Sequence, residues 1–364
     1  MSNLIYLVAG ARPNFMKIAP LIREFLKEKI NFEIVHTGQH YDYNMSKVFF
    51  DKLGIPEPEI HLNVGSASHA IQTAKIMIEF EKVILNKPPM LVIVVGDVNS
   101  TIACALVAKK LFIKVAHVEA GLRSFDFRMP EEINRILTDQ LSDYLFTSER
   151  DAEINLRKEG IPPEKIYFVG NIMIDNLLMN LEKAKNLEIL KNFELLPKDY
   201  ALITCHRPSN VDSKEDLENI VEILNFIQEK VKIFFPIHPR TKKNLEKFNL
   251  MSDIKKSNII INEPIGFLEF LNLMHNSKFI LTDSGGIQEE ASYLKIPVLT
   301  IRENTERPIT VEKGTNTIVD KDLEKIKMYV NKILSNSYKE GHEIEKWDGQ
   351  TAKRIVDIIK KEFK

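Results

Sequence analysis

The sequence predicts an α/β protein of two Rossmann-like domains whose loop rims face each other across a cleft, and three observations carry that prediction. Short β-branched runs alternate with longer amphipathic segments from end to end, the pattern of parallel strands covered by helices on both faces. The chain has 364 residues, 44% of them hydrophobic, which favours two buried cores over one. The unusual polar residues fall just after the strand-like runs in both halves, where loops and helix N-termini of an open parallel sheet converge on ligands.

In the first half, strands are expected at 4–9, 32–37, 91–95, 115–119, 144–147 and 166–169, with helices in most of the gaps. A helix from Ile172 to about Lys185, followed by 187–199 with its Pro197, reads as the crossing between domains. The second sheet is expected to use 201–205, 233–237, 259–261, 279–282 and 298–301. The domain boundaries are therefore 1–170, a crossing at 171–199, 200–345, and a tail at 346–364 whose helix, 351–363, is placed to fold back on the first domain. No internal repeat or low-complexity tract is evident.

Fifty basic residues against 51 acidic ones leave a formal charge of -1, so no bulk electrostatic drive toward nucleic acid or a membrane exists and neither is expected as a partner. Any anion must be caught locally. Cys104 and Cys205 sit in apolar stretches and form no CxxC-type pair, which fits a reducing, cytoplasmic compartment. Met1 leads straight into the first strand without a charged leader, and no apolar run reaches the roughly 18 residues of a membrane span.

At the strand ends, Arg12 and Lys17 follow the first strand, Gln39 and His40 the second, Asp97 the third, and Glu119 closes the fourth. In the second half His206 and Arg207, His238 and Arg240, Ser284-Gly285-Gly286, and Glu306-Arg307 occupy equivalent places. Singly, each has a bland alternative. Asp97 and Asp283 would serve as caps of the helices that come after them. Pro130-Glu131-Glu132 suits a helix start through its fixed φ and the dipole, worth about 0.3–1 kcal/mol. A lone His117 or His238 is as often a hydrogen-bonded structural residue as a catalyst. Their joint placement favours a site.

Gly10-Ala11-Arg12-Pro13 lacks the later glycines of GxGxxG, so a nicotinamide cofactor is not expected, and Tyr43 with Lys47 is a chance YxxxK match. No HExxH-type spacing exists, so no metal is expected either. Ser284-Gly285-Gly286 differs: its glycines allow close backbone approach, and the helix start behind them suits a diphosphate.

Six ordered motifs then resemble the non-hydrolysing UDP-N-acetylglucosamine 2-epimerases across nearly the whole chain. They are Gly10-Ala11-Arg12-Pro13, Thr37-Gly38-Gln39-His40, His117-Val118-Glu119-Ala120-Gly121-Leu122-Arg123, Pro130-Glu131-Glu132-Ile133-Asn134-Arg135, Ser284-Gly285-Gly286-Ile287-Gln288-Glu289-Glu290 and Thr305-Glu306-Arg307-Pro308. The resemblance implies a glycosyltransferase-B-like fold, a homodimer, no cofactor, and a reaction that takes the C2 proton, eliminates UDP to 2-acetamidoglucal, and re-adds it to give UDP-N-acetylmannosamine for cell-surface or glycoprotein sugar supply. It implies that Asp97, Glu119 and Glu131 are the acid/base set and that His206 assists the departing diphosphate. Arg12, Lys17, Ser284, Gly285, Gly286 and Arg307 would hold UDP, with Glu290 on the ribose hydroxyls. Residues similar to Gln39, His40, Arg207 and His238 bind a second UDP-N-acetylglucosamine in some bacterial members, although Pro208-Ser209-Asn210 follows Arg207 where many members carry Arg-Glu. The competing classes are a hydrolysing relative, for whose common fused kinase domain this chain has no room, a glycosyltransferase of the same fold, and a non-catalytic UDP-sugar sensor.

Overall fold

The computed structural model describes residues 3–39, 50–51, 53–254 and 258–363. The chain forms two compact units, one of 1–176 with 345–364 and one of 177–344.

The first unit holds a seven-stranded parallel sheet: β1 Ile5–Ala9, β2 Phe32–His36, β3 Ile60–His61, β4 Leu91–Val95, β5 Lys114–Ala120, β6 Tyr144–Thr147 and β7 Ile166–Phe168. Its order is β3-β2-β1-β4-β5-β6-β7, so the winding reverses between β1 and β4, where Ile5 pairs with Leu91. The helices are α1 Arg12–Lys27, α2 His69–Asn86, α3 Asn99–Lys110, α4 Pro130–Leu141, α5 Arg150–Lys158 and α6 Ile172–Lys185, the last of which contains the division between the units. Burial on both faces explains why the central strands are continuous apolar runs such as Leu91-Val92-Ile93-Val94-Val95. On one face Leu7, Ile93, Ala116 and Val118 pack with Phe15, Ile18 and Ile22 of α1. On the other, Tyr6, Val92, Val94 and Val115 pack with Ile76 and Phe80 of α2 and Ala103 and Val107 of α3.

The second unit holds six parallel strands: β8 Tyr200–Thr204, β9 Lys232–Pro236, β10 Ile259–Asn262, β11 Phe279–Thr282, β12 Val298–Thr300 and β13 Asn316–Ile318, in the order β10-β9-β8-β11-β12-β13. The winding reverses between β8 and β11, where Thr282 pairs with Thr204. Its longer helices are α7 Lys214–Gln228, α8 Pro239–Lys247, α9 Phe267–Asn276, α10 Gly285–Tyr293 and α11 Leu323–Leu334. Both sheets thus have the doubly wound dinucleotide-fold order.

The last helix, α12 Thr351–Glu362, belongs to the first unit, where Ile355, Val356 and Ile359 join the core beside α1. Its start is fixed by the buried Asp175 carboxylate, which accepts from Thr351 N at 3.1 Å and Ala352 N at 2.8 Å. The edge strands β3 and β13 lie outside the strands the sequence predicts. They are two and three residues long and partly polar, too short to show a period. Among the described residues no helix is long and apolar enough to cross a membrane.

Candidate active site

The switch point of each sheet carries the chemically interesting side chains. In the first unit, β1 ends at Ala9 and α1 begins at Arg12, with Pro13 in its first turn. Asn14 shapes that turn: its Oδ1 accepts from Gly10 N at 3.2 Å and Ala11 N at 3.0 Å, while its Nδ2 donates to Val95 O at 3.3 Å across the switch point. One turn on, Lys17 forms an ion pair with Glu119. Arg12 is half-buried at the start of α1.

Glu119 sits in a β-bulge of β5, where Val118 pairs with Phe146 and Ala120 with Thr147, and its φ of 70° is left-handed. Such a conformation costs a non-glycine residue roughly 1–3 kcal/mol and persists only where surroundings enforce it. Gly96 touches the same place: a Cβ there would lie 2.9 Å from Lys17 Nζ and 3.6 Å from Glu119 Oε2, and its φ of 67° would strain any other residue.

Asp97 comes next in the chain. Its carboxylate accepts from Arg135 Nη1 at 2.6 Å, and its carbonyl accepts from Asn134 Nδ2 at 2.9 Å. Arg135 is itself fixed by Glu132, whose Oε2 takes Arg135 Nη2 at 2.6 Å and Ser124 N at 2.9 Å while Oε1 takes Phe125 N at 2.9 Å. Burial alone would raise the Glu132 carboxyl, but these hydrogen bonds and the Arg135 charge hold it below its ordinary value. Asn134 also brings the first turn of α4 beside Asp97, and Glu131 lies in that turn, half-buried and without a hydrogen-bond or ion-pair partner among the described residues. Asp97 does not cap the next helix, which begins at Asn99 after an N-cap Val98 without a side-chain bond. His117 is a structural residue by its contacts, its Nδ1 bonded to Asp139 at 2.6 Å and its Nε2 to Gly96 O at 2.8 Å.

In the second unit, Asp283 at the end of β11 clamps the loop after β8. Its Oδ2 accepts from His206 N and Arg207 N, both at 2.8 Å, and from Asn210 Nδ2 at 3.1 Å. Its Oδ1 lies 2.8 Å from His206 Nδ1. Burial would raise this carboxyl, but the hydrogen bond and charge of His206 and the two amides hold it far below the usual carboxylate range. Asp283 therefore does not cap α10: the N-cap is Ser284, and its side chain accepts no cap bond, so among the described residues no side-chain acceptor takes the first turn at Gly285 and Gly286. The His206 ring is 42% exposed, with the ring of His238 5.5 Å away. His238 Nδ1 accepts from Arg240 N at 3.1 Å, and burial, then the neighbouring His206, lowers its pKa.

The Ser284 and Thr305 motifs meet. Gln288 Oε1 accepts from Thr305 Oγ1 at 2.7 Å, Glu289 lies 2.7 Å from Arg307 Nε, and Arg307 Nη1 donates to Glu306 at 2.6 Å. A Cβ on Gly285 would lie 2.7 Å from Glu306 Oε1 and 3.0 Å from Arg307 Nη1, so a side chain there would have to displace this pair. Arg302 pairs with Glu306 at 2.8 Å. Two acids, Glu289 and Glu306, thus share two guanidinium groups, and the buried Glu290 has its carboxyl pushed up to about 8, by burial first and Glu289 second.

Gln39 lies against the turn after β1, its backbone N donating to Gly10 O at 3.1 Å. Gln39 is buried, with Oε1 accepting from Ser100 N at 3.1 Å and Ser100 Oγ at 2.7 Å. His40, Tyr43 and Lys47 lie outside the described residues. Reading strand ends misses Asn14, Glu132, Arg135 and Asp139, because each acts from a helix; the Pro130-Glu131-Glu132-Ile133-Asn134-Arg135 motif is the one signal that includes Glu132 and Arg135. Among the described residues no group of three or more His, Cys, Asp or Glu side chains is arranged to hold a metal ion.

Two doubly wound parallel sheets, with ionisable side chains at the switch point of each and a glycine-rich helix start at one, define an α/β protein of the nucleotide-binding type. The UDP-N-acetylglucosamine 2-epimerase family model matches residues 24–360. The UDP-N-acetylglucosamine 2-epimerase of Methanocaldococcus jannaschii is 49% identical over 97% of this chain and 98% of its own. The crystal structure of the M. jannaschii UDP-GlcNAc 2-epimerase in complex with UDP-GlcNAc and UDP superposes with a TM-score of 0.91, at 48% identity over 98% of this chain and 99% of that one. The UDP-2,3-diacetamido-2,3-dideoxy-D-glucuronate 2-epimerase of Pseudomonas aeruginosa is 40% identical over 98% of this chain and 99% of its own. The chain belongs to the UDP-N-acetylglucosamine 2-epimerase family. Its fold is glycosyltransferase-B-like; MurG of Acinetobacter baumannii, at 11% identity and a TM-score of 0.54 over 98% of this chain and 99% of its own, shares the fold alone.

Proposed function

We propose that the protein interconverts UDP-N-acetylglucosamine and UDP-N-acetylmannosamine without net hydrolysis and without a redox cofactor or metal. The observation that carries this reading is the convergence of Asp97, Glu119 and the turn bearing Glu131 at one switch point, together with His206 and an uncapped glycine helix start at the other. A carboxylate of the first group takes the C2 proton as the C1–O bond to the diphosphate breaks, leaving a C1=C2 double bond in 2-acetamidoglucal and the electron pair on UDP. Return of UDP to C1, with a proton delivered to the opposite face of C2, gives the epimer. Positioned proton transfer of this kind is worth about 10²–10⁴ in rate.

In this proposal the first unit supplies the acid/base groups, and the second binds UDP through Ser284, Gly285, Gly286 and Arg307, with Glu290 toward the ribose and His206 toward the leaving oxygen. Arg12 adds a guanidinium fork and Lys17 a point charge to the diphosphate. Gln39, His40, Arg207 and His238 are carried as a candidate second-sugar site. A homodimer in the cytoplasm completes the proposal. The buried free thiols of Cys104 and Cys205 suit a reducing compartment, and light scattering on a sizing column tests the dimer.

The deciding experiment incubates purified protein with UDP-N-acetylglucosamine in deuterated water, with chelator and without nicotinamide, and follows C2 by NMR. Deuterium at C2 of a UDP-linked N-acetylmannosamine supports the proposal. Accumulation of UDP and free N-acetylmannosamine would instead make it a hydrolase, and turnover that required an acceptor would make it a transferase. The P. aeruginosa relative favours one further reading, so UDP-2,3-diacetamido-2,3-dideoxy-D-glucuronate is assayed in parallel and the larger kcat/KM names the substrate.

A further inference from the structure

Asp139, fully buried on α4, touches none of the groups proposed to meet the sugar, yet it joins the two loops that carry Asp97 and Glu119. Its Oδ1 lies 2.6 Å from His117 Nδ1, and His117 Nε2 lies 2.8 Å from the carbonyl of Gly96, the residue before Asp97. Its Oδ2 accepts from Gly121 N at 3.0 Å, two residues beyond Glu119, and from Arg123 Nη2 at 2.7 Å. A carbonyl can only accept, so His117 Nε2 is the donor to Gly96 O. Arg123 is closed off in turn by Glu159, at 2.7 Å and 2.6 Å. Burial would raise the Asp139 carboxyl, but His117 and then Arg123 outweigh it and keep it ionised.

Buried ion clusters of this kind are often no more stable than apolar replacements, so stability by itself is a weak reason for one to be here. What this cluster does have is reach, to the Gly96-Asp97 step at the end of β4 and to the Glu119 bulge at the end of β5. We infer that Asp139, acting through His117 and the Gly121 amide, is a positioning residue that fixes the spacing and aim of Asp97 relative to Glu119. The inference rests on the epimerase reading, in which those two acids work on one carbon, where a misplacement of about 1 Å can cost about 10²-fold in rate.

The test compares wild type, H117Q, H117A and D139N by steady-state kinetics on UDP-N-acetylglucosamine, with thermal melting and UDP titration on the same samples. A glutamine amide can still donate to Gly96 O, whereas alanine cannot. D139N and H117A are expected to lose about 10²-fold in kcat with KM within about threefold of wild type, and H117Q to recover most of that loss. The inference is overturned if H117A and D139N turn over like wild type, if H117Q is as impaired as H117A, or if activity falls only in step with the folded fraction. Should D139N fail to fold, the H117Q and H117A pair decides. A wild-type protein that binds UDP but does not exchange the C2 proton sinks the epimerase reading itself.

Discussion

Replacing Asp283 by asparagine removes one charge and almost no volume, and the surrounding donors dictate how the new side chain must sit. The amide oxygen must stay on the Oδ2 side, because turning the group over would set an NH2 against His206 N, Arg207 N and the Asn210 amide, three donors now at 2.8, 2.8 and 3.1 Å. The NH2 then faces His206 Nδ1, which at 2.8 Å from a carboxylate has been a donor and must become an acceptor. The imidazole is locked in its other tautomer and its cation loses its counter-charge. The same exchange in the serine-protease triad lowers kcat by about 10⁴. Here the expected fall is about 10²- to 10⁴-fold in kcat, the range of general acid catalysis, with UDP affinity changed much less. Loss of one charge-assisted hydrogen bond should cost about 1.5–3 kcal/mol of stability. The pH dependence comes from the depressed carboxyl: its stabilisation is present above the unfolded value near 4 and is lost as pH falls toward the folded one, so wild type and D283N should converge in acid. Steady-state kinetics and urea melts between pH 3 and pH 8 measure both. A folded D283N with unchanged kcat would falsify the role given to His206, and a stability gap that widened in acid would refute the charge assignment.

The Glu290 carboxyl is raised, so between the ordinary 4.5 and about 8 the folded state holds a proton the unfolded state has lost, and stability should decline as pH rises through that window. Glu290→Gln should flatten the slope in urea melts, gaining at most about 5 kcal/mol over wild type above pH 8, at about 1.4 kcal/mol per pH unit. Asp97→Asn, Glu119→Gln and Glu131→Gln should each lower kcat by about 10²–10⁴ with little change in UDP affinity by calorimetry; lost binding with normal turnover would reassign that acid. Gly96→Ala forces a left-handed alanine, costing about 1–2 kcal/mol, and puts its Cβ 2.9 Å from Lys17 Nζ, so a lower melting temperature and a weakened Lys17–Glu119 pair with reduced kcat are expected.

How much of this the sequence discloses depends on the range of the interaction. Strands read as 91–95, 144–147 and 279–282 end where the structure ends them, since a doubly buried strand must be an uninterrupted apolar run. The polar residues behind such runs are equally legible, which is why Asp97, His206 and the Ser284 turn stand out. Their partners do not. Arg135 looks like a surface residue three places after Glu132, and only the packing of α4 beside β5 brings it to Asp97. Asp283 before a helix reads locally as a cap, whereas strand order sets β8 beside β11 and hands its carboxylate to the loop after β8 instead.

Glu119 shows the limit most sharply. Along β5, Ala116 and Val118 face α1, while Val115 faces the core beneath α2 and α3 and His117 reaches Asp139 on α4. Strict alternation would send Glu119 to the side of His117, away from Lys17. The bulge at 119 breaks that alternation and turns the carboxylate to an α1 lysine, while Asp97 remains tied to Arg135 of α4. Acids anchored to helices on opposite faces of the sheet thereby flank Gly96, with Glu119 Oε2 3.6 Å from where its Cβ would be and Asp97 next in the chain. Ala120 pairing with Thr147 and Gly121 bonding to Asp139 hold the residues just past the bulge in place, so the backbone strain at Glu119 is enforced from outside. A regular strand would be more stable locally and would part Glu119 from Lys17, which is the physical reason to read this distortion as part of the site.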